Sequence, residues 1–167
     1  MKKILSALIT IIIIAGAAQA QDAAIKWMSF AEAEKQMRLE PKKVFIDVYT
    51  TWCGWCKKLD ATTFKDPQII DFMNKNYYAV KFNAETKDTI RLNNQNYVFK
   101  PENRANELAV ALLNGKLSYP TTVYLDESFN MLSPVPGYLT SDVMIKILKY
   151  FGENHHKSVS WEDYQKM

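Results

Sequence analysis

Sulfur is scarce in this chain: only two of its 167 residues are cysteine, and only two are histidine. An extracellular scaffold stapled by several disulfides is therefore excluded. A zinc finger would need further ligands, and the histidines, His155 and His156, are adjacent instead of three to five residues apart. Charge of one sign is lacking too. Without Lys2 and Lys3, 19 of the 21 basic residues stand against 18 acidic ones, a net of +1. That balance gives no electrostatic case for nucleic acid or an anionic membrane surface. No internal repeat or linker interrupts the chain, and after the first 20 residues no apolar run is long enough to span a bilayer.

What the chain does have begins with a leader. Lys2 and Lys3 precede an apolar segment from Ile4 to Ala18 that ends at Ala18-Gln19-Ala20, the small-x-small pattern of a cleavage site. Residues 1–20 are expected to be a secretory signal, with an uncleaved anchor as the alternative, and residues 21–167 to form one domain. No cysteine near the junction offers a lipid attachment point, and no twin-arginine signal is present. The compartment implied is the periplasm, with no stable membrane insertion after cleavage.

The two cysteines fall in Trp52-Cys53-Gly54-Trp55-Cys56, where an apolar strand gives way to a helical pattern. A cysteine at a helix start has its thiolate stabilised by unpaired backbone N–H groups and the positive end of the helix dipole. A redox dithiol is the leading reading, with Cys53 as the attacking thiolate and Cys56, less exposed, as the resolving thiol. A structural staple is the weaker alternative, because a disulfide stabilises by closing a long loop and this one is very short. Half of a metal site is weaker still, and no metal or other cofactor is expected.

Around the dithiol, Ser29 and Glu32 form a capping box for a helix over 30–39, which Pro41 ends. Val44–Tyr49 reads as a central strand buried on both faces, followed by a helix over 53–61. Asp66-Pro67 starts another over 67–74, and 77–82 is a strand. Residues 87–100 look like an inserted hairpin, two short strands around Asn93–Asn96. A helix with Leu108, Ala111 and Leu112 inward ends at Gly115. A hairpin over 121–135 and a last helix over 141–151, with Val143, Ile147, Leu148 and Phe151 inward, complete the domain. Trp161 is expected to dock a short terminal helix. The pattern predicts an α/β fold of three layers, a mixed central sheet with helices on both faces.

At this point a resemblance becomes specific. The stretch Phe45 to Lys57 resembles the active-site strand and helix of the thioredoxin superfamily, with a tryptophan before the first cysteine and an acid, Asp47, six residues ahead of it. Tyr119-Pro120-Thr121-Thr122 is similar to the loop that carries that superfamily's cis-proline. The chain most resembles exported thioredoxin-like proteins with a Cys-Gly-Trp-Cys site. It departs from thioredoxin itself by Trp55 in place of proline and by the 87–100 insert. The resemblance implies Asp47 as a buried base for the resolving step, Lys81 as its partner, and a substrate surface of Trp52, Gly54, Trp55, Tyr119 and Pro120. Blander readings stand beside these: a locally bonded aspartate, a lysine snorkelling to solvent, tryptophans packed in the core and a trans proline.

The function implied is an exported thiol–disulfide oxidoreductase acting on protein disulfides, in the reducing direction, with an unidentified thiol as electron donor. A non-catalytic binding module on the same scaffold, or a thiol oxidase or isomerase, is the alternative.

Overall fold

The structure, a computed structural model, describes residues 24–167. The expected signal segment lies outside the described residues. A five-stranded sheet has the order β1 (Trp27–Met28), β3 (Tyr77–Asn83), β2 (Lys43–Tyr49), β8 (Thr121–Leu125), β9 (Met131–Pro136). The first three are parallel, β8 runs antiparallel to β2, and β9 runs antiparallel to β8. β2 sits at the centre, which explains its nearly unbroken apolar run: Val44, Phe45, Ile46 and Val48 are all fully buried. Its alternate side chains feed two cores. Val44, Ile46 and Val48 meet α1 (Phe30–Met37) and α4 (Glu107–Leu112), while Phe45 meets α2 (Gly54–Ala61), α3 (Pro67–Asn76) and α5 (Ser141–Gly152). The expected three layers are present.

Local signals set most boundaries. Ser29 Oγ accepts from the Glu32 N–H while the Glu32 carboxylate accepts from the Ser29 N–H, closing the capping box. Asp66 caps α3 through the Gln68 N–H with Pro67 in the first turn. α6 (Trp161–Tyr164) docks as expected, with Trp161 edge-on to Tyr150 at 5.2 Å. His156 joins the same aromatic cluster, its ring 5.5 Å from Phe151.

Two expectations about helix faces are corrected. In α5 it is Met144 that turns inward with Ile147, Leu148 and Phe151, while Val143 is exposed. Met144 completes the i, i+3, i+4, i+7 stripe that Val143 does not. In α4 the buried set is Leu108, Ala109 and Leu112, and Ala111 faces out.

The insert differs more. The strands are β4 (Ile90–Leu92) and β5 (Gln95–Tyr97), joined by a two-residue turn of Asn93 and Asn94, both at positive φ. Asparagine tolerates that conformation, and such a turn matches strand twist. Phe99 belongs to a second hairpin, β6 (Phe99–Lys100) with β7 (Ala105–Asn106). Asn106, fully buried, closes the whole excursion: its N–H donates to the Ala84 carbonyl at 2.7 Å, and its side-chain amide donates to the carbonyls of Asp88 and Tyr97. The tip lies against α1, where the Asn93 N–H donates to Glu34, and near Phe129 of the β8–β9 turn. Val44 pairs with Leu125, so that turn is at the end of the sheet remote from Tyr49 and the cysteines.

Candidate functional site

β2 delivers its C-terminal end at Tyr49, and Thr50 turns the chain: its carbonyl accepts the Cys53 N–H at 3.2 Å. Cys53 is the N-cap of α2, and its Sγ accepts the Cys56 N–H at 3.0 Å. A helix N-terminus leaves such N–H groups without intrahelical partners, so sulfur takes the place that a serine or aspartate oxygen usually fills. Cys53 and Cys56 are joined as a disulfide. Their exposures are 4% and 3%, so the expected difference in accessibility is absent in this oxidised form. Position separates them instead: only Cys53 Sγ receives the helix-start hydrogen bond.

Between the sheet and α2 lies a charged cluster. Asp47 is 1% exposed on the face of the sheet that α2 covers, and its Oδ2 accepts from Lys81 Nζ at 3.1 Å. Lys81 also pairs with Asp60 of α2, whose side chain is partly exposed. The Lys81 ammonium is enclosed by the rings of Trp27, Tyr49 and Phe64, 5.0–5.5 Å from their centroids. Burial pushes the Asp47 carboxyl up to about 6, with Lys81 opposing and Asp60 adding to the rise. Lys81 is held above its ordinary value: burial works against its charge, and the two carboxylates outweigh that. Two buried oxygens among the described residues accept or donate nothing, Asp47 Oδ1 and Thr50 Oγ1.

The rim is aromatic. Trp52 and Trp55 are 65% and 57% exposed, which removes core packing as their role. Trp52 donates its indole N–H to Glu85 at 2.9 Å and stands edge-on to Tyr119. Trp55 lies against Tyr138 at 5.5 Å, and the Lys58 ammonium covers both rings. The Tyr119–Pro120 peptide bond is cis. Trp55, Tyr119, Pro120, Gly137 and Tyr138 line a groove of about 400 Å³. A Cβ at Gly54 would meet nothing within 4 Å, so packing does not demand glycine there.

The structure pairs Asp47 with Lys81 and gathers Trp52, Trp55, Tyr119 and Pro120 at one rim. It adds three: Asp60, Glu85 and Tyr138. Asp60 stands one turn after Cys56 on α2, a spacing that puts the two on one face and could have drawn attention to it. Tyr138 follows Gly137, and both line the groove with Pro120. Glu85 had no local signal.

A family model described as a thioredoxin-like domain matches residues 30–152. Among solved structures, the chain is similar to the DsbH oxidoreductase, with a TM-score of 0.59 and 14% identity over 86% of this chain and 95% of that one. It is also similar to a provisionally assigned disulphide-isomerase from Bacteroides thetaiotaomicron, with a TM-score of 0.56 and 26% identity over 86% of this chain and all of that one. An uncharacterised protein of Archaeoglobus fulgidus is 29% identical over 63 residues, 38% of this chain and only half of that protein's length. With the dithiol at the start of α2 and the sheet order in hand, the chain belongs to the thioredoxin-like family.

Proposed function

We propose that this protein is a thiol–disulfide oxidoreductase that reduces protein disulfides. The observation that carries the reading is Cys53 Sγ at the cap of α2, accepting the Cys56 N–H and flanked by two exposed indoles. In the reduced protein the same N–H favours a thiolate on Cys53. That thiolate attacks one sulfur of a substrate disulfide and expels the other as a thiolate, which takes up a proton. Cys56 then loses its proton, attacks Cys53 Sγ and releases the second substrate thiol. The substrate gains two electrons and two protons, and the Cys53–Cys56 disulfide forms. A thiol donor outside the chain restores the dithiol.

Asp47 is suited to take the Cys56 proton. A carboxyl near 6 is mostly ionised at neutral pH and is a stronger base than an ordinary carboxylate. Trp52, Trp55, Tyr119 and Pro120 would hold an extended substrate segment, the main chain of Tyr119 carrying no hydrogen bond among the described residues. Gly54 leaves space for that segment to approach. The expected leader at residues 1–20 supports work in the periplasm, and no described helix is long and apolar enough to cross a membrane.

The test is reduction of insulin disulfides with dithiothreitol as donor. Acceleration over dithiothreitol alone, lost in the Cys53→Ser variant, is the expected result. A folded protein that gives no acceleration would leave the scaffold as a binding module. Equilibration of the Cys53/Cys56 couple with glutathione then fixes direction, a strongly oxidising couple overturning the reductase assignment.

A further inference from the structure

Lys81 is one cation between two carboxylates. Asp47, fully buried on β2, reaches it from one side, and Asp60, partly exposed on α2, from the other. The groups packed around Asp47 leave few other influences. Lys81 comes from β3 and Asp60 from α2; β8 places Thr122 opposite in register, and the rings of Trp27, Tyr49 and Phe64 enclose the Lys81 ammonium. Asp60 and Lys81 are therefore the charges that set the balance at the buried acid.

An unshared lysine would hold Asp47 as a permanent carboxylate. A buried ion pair with only two members gains its Coulomb energy in a medium of low dielectric, and both charges are then hard to remove. Such an acid is a weak base. A second carboxylate draws the ammonium toward itself and repels the first, and each effect favours a proton on Asp47. Asp60 is the right partner for this, because its exposure lets water stabilise its own charge while it acts on a neighbour that water does not reach.

We propose that Asp60 is a positioning residue of this site: by sharing the Lys81 ammonium, it keeps the buried Asp47 carboxylate basic enough to take the Cys56 proton. The inference rests on the reading of Asp47 as the base of the resolving step. It assigns Asp60 no contact with substrate.

The experiment follows the Asp47 side-chain carboxyl by carbon NMR titration in the full chain and measures the pH dependence of mixed-disulfide resolution. Asp60→Asn is expected to lower the Asp47 midpoint by about half a pH unit or more, since a nearby charge is removed from a site of low dielectric. The midpoint of the resolution profile moves down with it, and Asp60→Glu stays near wild type. An Asp47 midpoint in Asp60→Asn that stays in place or rises overturns the proposal. If that variant fails to fold, Asp60→Ser serves the same comparison. Failure of the underlying reading is separate: Asp47→Asn would then resolve mixed disulfides as fast as wild type, whatever the titration of Asp60→Asn reveals.

Discussion

Trp52 donates its indole N–H to the carboxylate of Glu85 at 2.9 Å, tying the residue beside Cys53 to the segment that leaves β3. Glu85 is itself anchored, its N–H donating to Asn83 Oδ1 at 3.0 Å, and the Ala84 carbonyl next to it receives the Asn106 N–H. The base of the excursion, and not its tip, therefore fixes one wall of the site. A large exposed indole held by one hydrogen bond and one ring edge, that of Tyr119, loses little entropy when a substrate packs on it.

The first prediction follows from that tether. Glu85→Ala frees the indole, and kcat/KM on a protein disulfide is expected to fall about 3- to 10-fold, the equivalent of one ordinary hydrogen bond. Activity on a small aromatic disulfide, which needs no wall, is expected to stay within about twofold. Equal losses on both substrates would place Glu85 in the chemistry or the fold instead.

Because burial does not distinguish the two sulfurs, their roles need a direct assay. Cys56→Ser is expected to accumulate mixed disulfides through Cys53, while Cys53→Ser traps little. In the reduced wild type, alkylation near pH 7 is expected to modify Cys53 first, as the thiol with the larger thiolate fraction. Trapping through Cys56 would reverse the assignment.

Asp47 carries a prediction about stability as well as rate. Its folded-state value of about 6 lies above the 3.8 of an ordinary aspartate, so between these pH values the native state binds more protons than the unfolded chain. Stability contributed by this group is thus complete below about 4, falls as pH rises to about 6 and is flat above. Asp47→Asn removes that slope. At pH 7 the variant is expected to be more stable by up to about 3 kcal/mol, a figure that already includes the pull of Lys81 on the carboxylate. Chemical denaturation at pH 4 and pH 7 measures this. Resolution of a mixed disulfide is expected to slow at the same time, by roughly 10- to 100-fold near neutral pH. A variant that loses stability and keeps its rate would mark Asp47 as purely structural.

How much of this was legible in the sequence depended on the range of the interaction. The capping box of Ser29 and Glu32, the Asp66-Pro67 start and the buried run of β2 are written within a few residues, and each stands where it was read. The dithiol was legible for the same reason. The Asp47–Lys81 pair joins residues 34 apart, and only the family resemblance brought it forward; helical spacing puts Asp60 on the face of Cys56, but nothing local ties it to Lys81, 21 residues away. Asn106 was hidden altogether, since an asparagine before a helix reads as a cap, and its three bonds to Ala84, Asp88 and Tyr97 depend on how the excursion folds back.

The insert is where the sequence reading and the structure part most clearly, and it yields the last prediction. In chain order the hairpin lies between β3 and the Tyr119-Pro120 loop, a place from which it could reach the rim of the site. Its tip instead meets Glu34 and the neighbourhood of Phe129, at the far end of the sheet. Leu92, 5% exposed, is driven into the core beneath α1, with Ile90 and Tyr97 packed beside it. Leu92→Ala is expected to cost about 2–4 kcal/mol in denaturant unfolding, the usual penalty for emptying a buried leucine site. The reduction rate of insulin per folded molecule is expected to be unchanged. Replacement of residues 88–98 by a Gly-Ser loop loses the same burial together with the bonds of Asn106, so it tests placement less cleanly than the single substitution. If Leu92→Ala lowers activity on protein disulfides while stability holds, the tip communicates with the dithiol after all, and the division between a functional base at Glu85 and a structural tip at Leu92 is wrong.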